Sequence, residues 1–235
     1  MPNPHVSGAR HMLLAHLHLP GHPLTSLAHF LRHNGRLVAF GFLMCFWSSF
    51  GQTFFISLFN GELRAAFNLS HGDIGSMYAA GTIASAATLM FAGRLVDRFS
   101  LAKVTAFVLA GLSLAAAAMS LVWTAAALPF VFYALRLFGQ GLSAHTGMTA
   151  MGRYFDAARG RAISLATLGY SAGEAVLPGI IVAGLAIAHW RTLWAATAVC
   201  AVAAIAISEL LLRGAATHDH SRSPTSRRPR RRDRD

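Results

Sequence analysis

The sequence predicts an all-α membrane protein with six transmembrane helices arranged as two three-helix repeats. Three observations predict it. Hydrophobic residues make up 54% of the 235 residues and charged residues only 12%, about half the roughly 25% usual in soluble domains. Six apolar runs each reach the ~20 residues that ~30 Å of hydrocarbon requires at ~1.5 Å per residue. Basic residues fall in alternate connections between those runs.

The first run, 37–59, carries Trp47 and Gln52 and ends at Asn60-Gly61-Glu62. The second, 74–93, carries Ser76, Thr82 and Ser85 and stops at Asp97-Arg98-Phe99-Ser100. The third, 104–124, is Ala, Leu and Val with almost nothing polar. A turn near Thr124 separates it from the fourth, 127–150, where Pro129 sits in the first helical turn that proline tolerates. The fourth contains Arg136, Gln140 and His145. Arg153 to Arg161 leads into the fifth, 163–187, with Ser171 and Glu174. His189-Trp190-Arg191 opens the sixth, 191–212, where Glu209 precedes Arg213 by one helical turn, the spacing of an exposed ion pair.

Polar groups inside a membrane face protein or a water-filled cavity. The first, second, fourth and fifth helices are therefore expected to line the interior, and the third and sixth to face lipid. The second and fourth connections carry Arg94, Arg98, Lys103, Arg153, Arg159 and Arg161, against Arg64 and Arg191 in the other three. The bias of Lys and Arg toward the cytoplasm places both termini there, in a multi-pass inner-membrane protein. Residues 1–36 read as a His-rich leader without fixed structure, 37–212 as the bundle, and 213–235 as an Arg-rich tail, again without fixed structure.

The net charge of +11 is not a nucleic-acid signal, because no folded basic domain with interleaved aromatics carries it. The tail supplies +5 of it, and a basic segment beside a membrane holds anionic lipid. Cys45 and Cys200 lie within apolar runs and form no disulfide framework or zinc site. The leader histidines, His16 and His18 among them, suggest a metal only weakly, and no metal or other cofactor is expected. Gly169-Tyr170-Ser171-Ala172-Gly173 spells a serine-nucleophile motif. That chemistry needs a strained strand-to-helix turn, so no enzyme is expected.

Arg136 carries the most information. A charge in mid-membrane costs at least ~2.5–3.5 kcal/mol, so it needs a partner. Helical rise places Arg136 and Glu174 within ~6 Å of one another in depth, with Gln52 at a similar level. Two readings stand. Either Arg136 binds an anionic substrate with Glu174 as counter-ion or proton carrier, or the two form a buried pair that pins the helices. Gln140 and Trp47 complete the candidate set.

Two stretches resemble the major facilitator superfamily. Gly93-Arg94-Leu95-Val96-Asp97-Arg98 resembles its cytoplasmic signature, although Ser100, Leu101 and Ala102 stand where the family has Gly, Arg and Arg. Arg136-Leu137-Phe138-Gly139-Gln140-Gly141 resembles its fourth helix, and Gly169, Gly173 and Pro178-Gly179 its fifth. The resemblance spans about 36–212 and is nearest the monocarboxylate and organic-anion branches. It implies secondary transport of a small solute by alternating access, as a symporter or antiporter coupled to protons or exchange, with substrate bound between two six-helix halves. It also implies that Gly93, Asp97 and Arg98 form a gating motif. The family ordinarily has twelve helices, so this chain reads as half of that fold. A truncated or frameshifted transporter is preferred over a half that forms a homodimer. A non-transporting membrane protein, either an inactive fragment or a lipid-binding accessory component, is the alternative.

Overall fold

Every described element is a helix, and six segments are long and apolar enough to cross a membrane. The computed structural model describes residues 23–156 and 158–219, without the side chains of 23–26, 95–97 and 214–219. The first span, Leu27–Ser57, comprises α1 (Pro23–Ser48), a 3₁₀ turn (Ser49–Gly51) and α2 (Thr53–Ser57). A short helix, α3 (Asn60–Phe67), follows. It ends on Asn68 in the left-handed region (φ 52°), where the Leu69 N–H closes on the Arg64 carbonyl at 3.0 Å. Asparagine tolerates that conformation and stops the helix.

The second span is α4 (His71–Arg98). Its start is a capping box: the Ser70 N–H donates to Asp73 Oδ2 at 2.9 Å, and the Asp73 N–H donates to Ser70 Oγ at 3.1 Å. The third is α5 (Leu101–Leu121). The fourth is composite, with α6 (Leu128–Ala134), a π-helix (Leu135–Ser143) and α7 (Ala144–Tyr154). Pro129 lies in the first turn of α6, as expected from the sequence. The fifth is α8 (Arg159–Ile187), which carries Pro178 in its interior, and the sixth is α9 (Trp190–Asp219).

Packing follows the two-repeat expectation. The second span lies along the fourth and the first against the fifth, while α5 and α9 pair along their length. Small residues make that last pairing close: Ala115 and Ala116 of α5 and Ala198, Ala201 and Ala204 of α9 are buried. Ser113 Oγ donates to the Ala198 carbonyl at 2.9 Å. Small side chains and interhelical hydrogen bonds are the attraction available where lipid is as apolar as leucine. At one end of this pair Arg191 donates to the Ser120 carbonyl at 2.9 Å, with its guanidinium over Trp190 and Trp123. At the other, Arg36 donates to the Leu210 carbonyl, and Arg213 meets Glu209 at 3.5 Å, the expected i,i+4 pair.

Burial is uneven among the spans. Half of the third span's most apolar stretch is buried, against 17% for the second and for the fifth, while its Phe107, Leu114 and Leu121 stay exposed. Its alanines let it sink against α9, whereas the polar residues of the second and fifth spans occupy one face and leave the rest open. Ile83, Met90, Phe91, Val176 and Ile180 are exposed on those two helices. α1 starts at Pro23, within the stretch 1–36 that the sequence assigns to the leader. Within 23–36 the His33 Nδ1 bonds to the His29 carbonyl at 3.0 Å and Asn34 donates to Phe30 O at 3.1 Å. His5, His11, His16, His18 and His22, and the tail beyond Asp219, lie outside the described residues.

Candidate functional site

Two irregular backbone segments meet inside the bundle. The 3₁₀ turn at Ser49–Gly51 faces the π-helix at Leu135–Ser143. Their contact is backbone on backbone: a Cβ on Gly139 would lie 2.6 Å from both Gly51 Cα and Gly51 N. Glycine at both positions is what permits this approach. Gly139 and Gly141 also weaken the α-helical preference of the segment. Ser143 Oγ donates to the Phe138 carbonyl five residues back at 2.8 Å, the spacing of a π turn. Such widened turns recur at functional sites because they re-aim side chains.

The π-helix presents Arg136 and Gln140 together. Arg136 Nη1 donates to Gln140 Oε1, and to the Gly51 carbonyl and Thr53 Oγ1, each at 3.4 Å. Its guanidinium also stands 5.5 Å from the centre of the Tyr78 ring, whose hydroxyl is 2.7 Å from Thr53 Oγ1. The arginine is half-buried at the wall of a cleft of about 400 Å³ that also touches Thr82, Ser85 and His145. Gln52, Gln140, Tyr170 and Glu174 line a neighbouring cleft of about 380 Å³. Gln140 and Ala144 belong to both clefts, so the two recesses adjoin.

Four of the five residues expected to bind substrate therefore meet around two adjoining recesses. Of the two readings, the buried Arg136–Glu174 pair is not formed: no ion pair joins these two residues. Matched depth did not bring the charges together, because Arg136 turns toward the first and second spans. Glu174 is exposed on the fifth, facing the second recess. Trp47 lies elsewhere. It is buried in an aromatic cluster, stacked on Phe50 at 4.8 Å.

The glycines of the fifth span do bring helices close. A Cβ on Gly169 would come within 2.8 Å of the Phe46 N–H nitrogen, and one on Gly173 would strike Ser49 Oγ. They seat α8 on the first span directly behind Glu174.

The family model of the Major Facilitator Superfamily matches residues 38–234. The chain belongs to this superfamily. It is a multi-pass membrane protein of a transporter family, whose members move solutes rather than transform them, and the six spans are those of a major facilitator half. No curated protein matches the chain. Of the superfamily signature, Gly93 lies on α4 with the His145 ring beside it: a Cβ there would stand 3.5 Å from His145 Nε2. Arg98 is exposed where α4 ends, and the Asp97 side chain lies outside the described residues.

Sequence reasoning missed Thr53, Tyr78 and Tyr170. Thr53 follows a break in the first span that hydropathy does not register. Tyr78 lies four residues before Thr82, on the polar face of the second span, and that spacing was the available signal. Tyr170 was passed over within the serine motif. It lines the Glu174 recess.

Proposed function

We propose that this major facilitator bundle carries a small organic anion across the inner membrane by alternating access, with Arg136 as the anion ligand. One observation supports this above all. Arg136 fronts a recess of about 400 Å³ while its donors are spent only on neutral acceptors. A cation held in the membrane by neutral groups retains most of its attraction for an incoming carboxylate. Guanidinium suits this role because its planar fork meets a carboxylate through two parallel hydrogen bonds. Gln140 and Gln52 supply neutral hydrogen-bonding groups to the rest of the solute, and Glu174 is placed to carry a coupling proton.

One bundle forms one wall of such a pathway. The opposing wall is a second six-helix bundle closing over the exposed faces of the second and fifth spans. Both termini lie in the cytoplasm in this reading, and the Gly93, Asp97 and Arg98 motif gates that side.

The test is uptake of radiolabelled acetate, lactate and succinate by cells expressing the full chain, compared with Arg136→Lys and Arg136→Gln at matched membrane abundance. Uptake of at least one anion should exceed that of control cells. It should fall about tenfold or more in Arg136→Gln, the scale of one lost charge-assisted hydrogen bond, and less in Arg136→Lys. Wild-type uptake at the control level would remove transport of these anions by this chain, and undiminished uptake in both variants would remove Arg136 from the site.

A further inference from the structure

The recesses around Arg136 leave a second, largely apolar feature unused. Two clefts of about 410 and 440 Å³ run along the third and fourth spans, with Thr88 and Ala92 of the second lining one of them, and share Phe107 and Phe138. Together they form one groove. Phe99 and Lys103 stand at its basic end, and Leu114 lies further along it toward the opposite end. The groove owes its floor to Gly111, because a Cβ there would run into the Phe138 ring. That ring can thus lie close against α5, edge-on to Phe107 at 5.6 Å between centroids. Phe99, Phe107 and Leu114 are all exposed, so the groove opens outward.

Lys103 is the single lysine of the chain. It is exposed, and among the described residues it has no ion pair or hydrogen bond. A lysine at a membrane boundary lays its methylenes along apolar surface and leaves its ammonium at headgroup level. The run from Lys103 to Leu114 is ~16 Å at ~1.5 Å per residue, about the depth of one leaflet of a ~30 Å core. An apolar trough one leaflet deep, with an exposed cation at its mouth, has the shape and charge of one kind of ligand.

We propose that this groove holds an acyl chain of an anionic glycerophospholipid, with its phosphate on Lys103. The site is independent of the Arg136 recesses and of whether the bundle transports anions. Its opening toward hydrocarbon selects a lipid over a water-soluble anion, which would gain nothing from an apolar trough.

Native mass spectrometry of the detergent-purified full chain, equilibrated with equal amounts of phosphatidylglycerol and phosphatidylcholine of identical acyl chains, tests this. One phosphatidylglycerol should be retained in about fivefold preference, the scale of one basic residue near a phosphate. Lys103→Gln should bring the ratio to about one and Lys103→Arg should keep it, since both cations hold phosphate. Arg159→Gln, which removes an exposed charge elsewhere on the basic end, should leave the ratio unchanged. Ala92→Leu, which fills the groove below Lys103, should lower retention of both lipids. Equal retention by the wild type, an equal effect of Arg159→Gln, or displacement of phospholipid by added oleate would overturn the proposal. A readout in vesicles follows from the lone lysine: phosphatidylglycerol should slow acylation of Lys103 by an N-hydroxysuccinimide ester, and acylation at one rate in both lipids would count against it.

Discussion

Arg136 of the fourth span donates to the Gly51 carbonyl of the first at 3.4 Å, bridging the π-helix of one span to the 3₁₀ turn of the other. The proposed anion ligand is thus also a fastener between two irregular helices, and its two roles separate by measurement. Arg136→Lys keeps the charge but replaces a planar fork with a single ammonium, which cannot reach Gly51, Thr53 and Gln140 in the same geometry. Loss of hydrogen bonds to a charged group costs about 1.5–3 kcal/mol. Both Arg136→Lys and Arg136→Gln should therefore lower the melting temperature in detergent. Only a ligand role makes Gln worse than Lys for uptake at equal stability, and parallel losses in the two assays would reduce Arg136 to a fastener.

The Gly51–Gly139 approach predicts a purely steric effect. A Cβ on Gly139 stands 2.6 Å from the Gly51 backbone, and one on Gly51 stands 2.5 Å from the Gln140 nitrogen. Neither obstacle is a flexible side chain that could swing away. Gly139→Ala and Gly51→Ala should each destabilise the bundle by about 1–3 kcal/mol, the usual cost of overpacking. Gly61→Ala, where the added methyl meets nothing, should be close to neutral. Thermal unfolding of the three variants checks this, and equal melting temperatures would show that the two backbones are not held together.

The spans were legible because hydropathy and helix length are properties of local sequence. The alternation of Arg94, Arg98 and Lys103 with loops nearly free of charge is equally local. The break at Ser49–Gly51 was not legible, since Ser-Phe-Gly in an apolar run reads as continuous helix until Gly139 is seen against it. Gly139 and Gly141 weaken the α-helical preference of Leu135–Ser143, but its extra width shows only in backbone geometry. Arg136 and Gln140 stood out because polar groups are costly in lipid. Their partners did not, because depth from helical rise says nothing of azimuth, and azimuth turned Arg136 away from Glu174. The low polarity of the third span marks a helix that avoids water, and lipid and α9 share in covering it.

Membrane sidedness carries its own prediction. In a chain with Cys45 and Cys200 replaced, single cysteines at Asn60, Asp156 and His189, all exposed between spans, report the side each loop faces. A membrane-impermeant maleimide added outside intact spheroplasts should label positions 60 and 189 and spare 156 until the membrane is opened. The ratio of six basic residues to two across the loops supports this orientation. Labelling at 156 alone would invert it, and with it the proposed cytoplasmic position of Gly93, Asp97 and Arg98.

Glu174 yields the last prediction. It is exposed, forms none of the ion pairs of the described residues, and shares its recess with Gln52, Gln140 and Tyr170. Glu174→Gln nearly conserves volume and removes only the charge. With no ion pair to break, the melting temperature should move by no more than the ±0.5 kcal/mol of an ordinary surface change. Transport should respond differently. A carboxylate that takes up a proton on one side and releases it on the other ties solute movement to the proton gradient, and glutamine cannot do so. Uptake driven by an imposed acid-outside gradient should collapse in Glu174→Gln, while exchange of labelled for unlabelled anion persists, because Arg136 still binds it. If gradient-driven uptake survives at the wild-type rate, Glu174 is not the proton carrier. If exchange is lost together with it, the carboxylate shapes the anion site itself.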